Sequence, residues 1–274
     1  MGLVSDKYIS EKFIEREIHL SLPQEGSRSK KSKASPLQIA KQNHWNKVKT
    51  CRRTIQLNYK PGDLWVTFGY KGGTRKEMHT FCKDMEKLQD LIRDEYAKQG
   101  HEFKWIRRLE IGRRGGLHAH FLINDIPGAL QILQRCWKKA SKDAGRVHVE
   151  PIDDDNGYEG LAEYICKDPS EEIQGQMVFL LPEERKRLCK ISSSRNLKRP
   201  VRIREKVNPW SISRILTGRD VLLATKGYYI EPQSVRMGIS SVTHTPYIRY
   251  RERKIEDEKP GILQKVKNLF RREK

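Results

Sequence analysis

Two apolar runs, residues 105–111 and 117–123, flank Gly112-Arg113-Arg114-Gly115-Gly116, and this arrangement restricts the fold more than any other feature of the chain. Alternating runs around a short glycine-containing loop predict a β-hairpin. The second run reads Leu117-His118-Ala119-His120-Phe121-Leu122-Ile123. Strand residues two apart project from the same face, so His118 and His120 point the same way. Glu110 stands eight residues before His118, where a five-residue loop brings it alongside the histidines. Two imidazoles and a carboxylate on neighbouring strands make a three-ligand site for a divalent cation, with positions left open for substrate.

The elements around the hairpin follow from local patterns. Residues 60–63, Lys-Pro-Gly-Asp, form a turn, and residues 64–70 are β-branched and aromatic, as a strand requires. Residues 74–99 repeat Met78, Phe81, Met85, Leu88, Leu91, Ile92 and Tyr96 at spacings of three or four, a helix stopped by Gly100. A second helix spans 127–139 with Leu130, Leu133 and Trp137 on one face. A short strand follows at 146–150, then a helix at 158–167 with Leu161 and Ile165 inward. Strand, helix, strand, strand, helix, strand, helix is an α+β order: an antiparallel sheet backed by helices.

Outside this core the signals thin. Residues 1–22 read as a short amphipathic piece and carry acids and lysines unlike a signal peptide. Residues 24–35 are polar and basic, a linker or nucleic-acid-contacting arm. A basic helix carrying Trp45 and Val48 runs from Pro36 to Arg53, and residues 54–59 lead into the core. Beyond Pro169, residues 188–191 and 228–230 are short strand candidates, 192–200 is a basic loop and 211–216 a short helix. The tail from Ile248 is charge-dense, with a thin stripe of Ile262, Val266, Leu269 and Phe270 on a basic helix. The expected division is a basic extension over 1–53, a catalytic domain over 54–200 and a basic region over 201–274.

The charge balance is 55 Lys plus Arg against 35 Asp plus Glu, a net +20, which points to a polyanionic partner. No run is apolar for long enough to span a membrane. Five scattered cysteines without a Cys-x-x-Cys pair argue for a reducing, cytoplasmic setting and against a zinc finger or disulfide framework. No Gly-x-x-x-x-Gly-Lys-Ser/Thr loop is present, so the chain carries no P-loop helicase.

Downstream of the histidines stands Glu163-Tyr164-Ile165-Cys166-Lys167-Asp168. Tyr164 and Lys167 share a helix face, and Asp168 falls four residues from Tyr164. The ordered set Glu-x-Gly-x-x-Gly-Gly-x-His-Ala-His, then Tyr-x-x-Lys, resembles the Rep-type HUH endonucleases that initiate rolling-circle replication. Residues 58–68, ending in Val-Thr-Phe, are similar to the first motif of one such subfamily. The resemblance covers about residues 50–200. It implies a ferredoxin- or RRM-related sheet with His-x-His on a central strand. It also implies Mn²⁺ or Mg²⁺ on Glu110, His118 and His120, and nucleophilic Tyr164 assisted by Lys167, with Asp168 in support. The activity implied is site-specific nicking and rejoining of single-stranded DNA through a 5′-phosphotyrosine link. Tyr158, six residues from Tyr164, falls on another helix face, so one tyrosine is expected to act. Arg113, Arg114, Arg195, Lys198 and Arg199 are the expected phosphate contacts. The partners expected are single-stranded or hairpin origin DNA and a separate host helicase, with no membrane. Two other readings are a single-tyrosine transposase or mobilisation relaxase, and a basic nucleic-acid-binding regulator whose histidines are structural.

Overall fold

The computed structural model describes residues 2–21, 35–239 and 245–255. The chain divides into two compact units, residues 35–200 and residues 1–34 with 201–274.

The chain opens with the hairpin β1 (Gly2–Ile9) and β2 (Phe13–Ser21) where an amphipathic piece was expected. Burial along β1 does not alternate, because Leu3, Val4, Ser5 and Asp6 are all buried; the two-residue period that announces a strand is missing. Helix α1 (Pro36–Asn58) begins at a capping box on Ser35, with Pro36 in the first turn, and runs through residue 53 without a break. The lead-in expected at 54–59 is thus largely the last turn of this helix. Asp63 closes the following turn on Lys60, with Gly62 at φ +93°, a conformation that favours glycine.

The larger unit is built on β3 (Leu64–Tyr70), α2 (Met78–Lys98), β4 (Trp105–Ile111), β5 (Leu117–Ile123), α3 (Ala129–Ala140), β6 (Ala144–Pro151) and α4 (Glu159–Cys166). This is the order read from sequence, although α2 starts at Met78 rather than residue 74. Two short helices follow, α5 (Glu171–Met177) and α6 (Pro182–Cys189), then β7 (Ile191–Ser193). The strand expected at 188–191 is therefore mostly the end of α6. Five antiparallel strands lie in the order β6-β3-β5-β4-β7, so β5 is the middle strand.

One sheet face presents Val66, Phe68, Leu109, Leu117, Ala119, Phe121 and Ile123 to the main core. Phe81, Met85, Leu88 and Ile92 of α2 and Ile132, Leu133 and Trp137 of α3 pack in the same core. The Trp137 indole N–H donates to the Gly69 carbonyl at 3.0 Å, so a large buried ring keeps its polar atom paired. Leu130, expected on the inner face of α3, is 42% exposed in the helix's first turn. The buried stripe is instead Ala129, Ile132, Leu133, Cys136, Trp137 and Ala140. The opposite sheet face carries Trp65, Thr67, Arg108, Glu110, His118 and His120, and α1 and α4 pack against each other over it.

The smaller unit adds β8 (Ile203–Lys206), α7 (Pro209–Leu216), β9 (Tyr228–Ile230), β10 (Arg236–Ile239) and β11 (Pro246–Lys254). Its sheet runs β10-β11-β2-β1-β8, with β9 beside β11. The start of the charge-dense tail, through Lys254, is therefore a strand, with buried Ile248, Tyr250, Arg251 and Glu252. Its charges are paired: Arg251 with Glu231, and Glu252 with Arg16 at 2.6 Å. The Ile262, Val266, Leu269 and Phe270 stripe, and nearly all of the 24–35 arm, lie outside the described residues.

Asp6 accepts two hydrogen bonds from Arg204, at 2.6 and 2.8 Å, and meets His19 Nε2 at 3.1 Å. Burial would push its carboxyl up, but the Arg204 and His19 hydrogen bonds outweigh it and bring it down to about 2. A carboxyl depressed on folding stabilises the fold above its unfolded value, and that stability is lost as pH falls toward 2. Asp6→Asn is expected to cost about 1–3 kcal/mol at pH 7 and much less near pH 2. Urea unfolding of both proteins at the two pH values checks this; equal costs at both would refute it.

Candidate metal centre

The five-residue loop of the β4–β5 hairpin sets the register. Gly112 N–H donates to the Gly116 carbonyl and Gly115 N–H to the Gly112 carbonyl, both at 2.8 Å, with Gly115 at φ +75°. Glu110 then pairs directly with His118, and Arg108 with His120. Glu110 Oε2 lies 3.5 Å from His118 Nε2 and 3.3 Å from His120 Nε2. The three ligand atoms all fall within 4.8 Å of one another.

Neighbouring groups orient these ligands. Thr67 Oγ1 is 2.9 Å from His120 Nδ1, and the Gly116 carbonyl is 3.3 Å from His118 Nδ1. Each histidine therefore holds Nδ1 on a partner and turns Nε2 toward Glu110, the arrangement that fixes a metal-binding tautomer. Trp65 stacks on His120, with centroids 5.3 Å apart and planes at 6°. Arg108 forms a 2.7 Å ion pair with Glu110 Oε1, leaving Oε2 to the histidines. Burial would raise the Glu110 carboxyl, but the His118 and His120 hydrogen bonds and the Arg108 charge hold it well below the usual carboxylate range. A carboxylate and two oriented imidazoles are a donor set suited to a hard or borderline divalent cation, so the residues present fit one.

Tyr164 stands beside this group on α4. Its ring meets Trp65 edge-on at 5.7 Å and His120 at 6.0 Å, and it remains 46% exposed. Arg108 ties this helix to the sheet, since Nη1 donates to the Ile165 carbonyl at 2.9 Å. Burial and the nearby Glu110 carboxylate push the Tyr164 phenol above its ordinary value, with Arg108 acting in the opposite direction. Lys167 Nζ lies 5.9 Å from the Tyr164 ring centroid. Tyr158 is 3% exposed, its hydroxyl 3.5 Å from the Tyr59 carbonyl.

The remaining expected residues are dispersed. Asp168 meets His44 of α1 at 3.3 Å and is not in the ligand group. Arg113 and Arg114 occupy the exposed hairpin tip, where Arg113 lies 3.6 Å from Glu172 and the Arg114 carbonyl accepts from Arg75. Arg195, Lys198 and Arg199 are exposed beyond β7 at the sheet edge, where Arg199 Nη2 lies 3.1 Å from Ser193 Oγ. Sequence reasoning placed Trp65 and Thr67 in the first-motif segment without naming either as a site residue, and passed over Arg108. Only Arg108 carried a usable signal, its position two before Glu110 on one strand face.

Fold and site together define an α+β protein with antiparallel sheets and a candidate divalent-metal centre beside a helical tyrosine. Residues 63–169 match the model of the family described as Replication-associated protein ORF2/G2P. That likeness supports a replication-initiator type of protein acting on DNA, and the matched segment runs from β3 through α4. No curated protein and no solved structure matches the chain. Among the described residues no helix is long and apolar enough to cross a membrane.

Proposed function

We propose that the chain is a rolling-circle replication initiator of the HUH type, which nicks and rejoins single-stranded DNA through Tyr164. The observation that carries this reading is the position of the Tyr164 ring, 6.0 Å from the His120 ring of the Glu110–His118–His120 group.

Glu110, His118 and His120 would hold a divalent cation, Mn²⁺ or Mg²⁺. When bound, the cation neutralises charge on a non-bridging phosphate oxygen and so stabilises the crowded phosphorus of an in-line displacement. The chain's residues do the rest. Tyr164 Oη attacks phosphorus as the bond from phosphorus to the 3′ oxygen breaks; the phenol proton ends on the departing 3′ oxygen, and the DNA remains joined through its 5′ phosphate to the phenol. The free 3′ hydroxyl primes synthesis, and the reverse attack reseals the strand without external energy. A phenol near its ordinary value is a poor nucleophile, and here burial and Glu110 hold its proton more tightly still. Arg108 and Lys167 supply positive charge at the ring, and Arg108 also positions the helix. Asp168, paired with His44, stands outside the three-ligand group. In this reading the origin duplex is opened by supercoiling, an extruded hairpin or a separate host helicase.

The test is a labelled hairpin oligonucleotide incubated with protein and manganese, then resolved on a denaturing gel for a covalent adduct. A regulator that only binds nucleic acid gives a shift on native gels and no adduct.

Arg113, Arg114, Arg195, Lys198 and Arg199 are proposed to contact phosphates. About five such contacts on a single strand weaken binding about 100-fold between ~50 and ~200 mM salt. Fluorescence anisotropy measures this slope, and a salt-independent affinity would detach the +20 charge from nucleic-acid binding.

A further inference from the structure

We propose that Cys51 and Cys166 form a peroxide-sensitive dithiol, whose closure to a disulfide displaces the helix bearing Tyr164. The inference rests on the function proposed above where it concerns strand transfer, and on the cysteine geometry alone where it concerns the cross-link.

Cys51 sits on α1 and Cys166 at the last position of α4, two helices packed against one another, and the two side chains interact. Both are buried, at 8% and 0% exposure, and both are free thiols. Nothing in the proposed strand transfer uses either. Cys51 is not sealed off, however. It lines an open cleft between α1 and β7, together with Asn46, Lys47, Thr50 and Ile106. A small neutral oxidant such as hydrogen peroxide reaches the pair by that route. The Cys166 side chain and burial push the Cys51 thiol well above its ordinary value, whereas the Cys51 side chain, helped by Lys47, holds the Cys166 thiol below its own, so Cys166 is the more readily ionised sulfur.

The chemistry balances without further reactants. One thiolate of the pair attacks a peroxide oxygen, the O–O bond breaks, and the departing hydroxide takes a proton to become water. The resulting sulfenic acid is attacked by the second sulfur, its S–O bond breaks, and a second water leaves. Two thiols are oxidised to one disulfide and one peroxide is reduced to two waters.

The mechanical consequence follows from bond length. A disulfide sets its sulfurs about 2.05 Å apart, closer than two unbonded thiols can approach, so closure draws α4 toward α1. Helix α4 is eight residues long, and Cys166 lies two positions after Tyr164. The same turn supplies the Ile165 carbonyl that Arg108 holds. A displacement of about 1 Å at a reacting group costs about 100-fold in rate.

The experiment treats the full-length protein with graded hydrogen peroxide, blocks remaining thiols, and maps peptides without reduction. A cross-linked Cys51–Cys166 peptide that thiol reductant removes is expected in wild type and not in Cys51→Ser or Cys51→Ala. Amide exchange over residues 159–166 should differ between the oxidised and reduced forms. Adduct yield on the hairpin oligonucleotide should fall about 10- to 100-fold on oxidation and recover with reductant, while both Cys51 variants keep reduced-state activity. Absence of the cross-linked peptide overturns the dithiol. A cross-link that leaves both exchange and adduct yield unchanged overturns its coupling to Tyr164. Reduced protein that forms no adduct at all sinks the strand-transfer reading, and the peptide map and exchange data still decide this one.

Discussion

Tyr164→Phe is expected to abolish the covalent protein–DNA adduct while binding to the same oligonucleotide stays within about twofold. Only the hydroxyl is removed, and the phenyl ring keeps its edge-on contacts with Trp65 and His120, so α4 has no reason to move. The proposed nucleophilic atom has no substitute in this site, and losses up to about 10⁶-fold are seen when a covalent nucleophile is deleted. A fall of at least about 10³-fold in adduct yield is the expected result. Tyr158 offers no substitute: it is 3% exposed, at φ +64°, with its hydroxyl turned toward the Tyr59 carbonyl. Denaturing gels quantify the adduct, anisotropy the binding, and peptide mapping the linkage. An adduct that persists in the variant, or one mapped to Tyr158, would end the assignment to Tyr164.

The parts of the site that were legible in the sequence are those fixed by local geometry. Glu110, His118 and His120 belong to one hairpin, and a five-residue loop determines which residues face each other, so counting suffices. Thr67 and Trp65 could not be assigned in that way. They reach His120 only because β3 pairs with β5 across more than fifty residues of chain, and that register is visible only in the folded sheet. Arg108 shows a further limit: its strand position was readable, but its bond to the Ile165 carbonyl depends on how α4 packs over the sheet.

Elsewhere the losses have a similar cause. The β1–β2 hairpin pairs on one side with β11, more than two hundred residues away, and its burial pattern lacks alternation. Strand β11 read as the start of a charge-dense tail because Arg251 and Glu252 are charged. Glu231 and Arg16, brought in by β9's flank and by β2, neutralise them in the interior. Helices α5 and α6 are too short for a periodic stripe to emerge, with Pro182 opening the second.

Removal of either histidine should have the second large effect. His118→Ala and His120→Ala each leave two protein ligands, which hold a divalent ion poorly. Manganese affinity is expected to fall more than about 100-fold, and metal-dependent cleavage with it, since a conserved supporting group alone is worth about 10–100-fold. Thr67→Val removes such a support, the hydroxyl at His120 Nδ1, and should land within that smaller range. The two histidines also separate folding from chemistry. His118 has a side chain 25% exposed and His120 one 9% exposed under Trp65, so only His120→Ala opens a gap in the packing. Glu110→Ala combines both problems, because it also strips the partner from buried Arg108; Glu110→Gln keeps the shape and loses the charge. Excess manganese should partly restore Glu110→Gln, whose amide oxygen can still donate, and Thr67→Val, which keeps all three ligands, and restore neither histidine variant. Calorimetric titration with manganese, thermal melts and adduct yield with and without EDTA read out affinity, folding and cleavage in turn. Nicking that proceeds undiminished in EDTA, or manganese binding that survives loss of His118 with an unchanged melt, would show that Glu110, His118 and His120 are not the metal site.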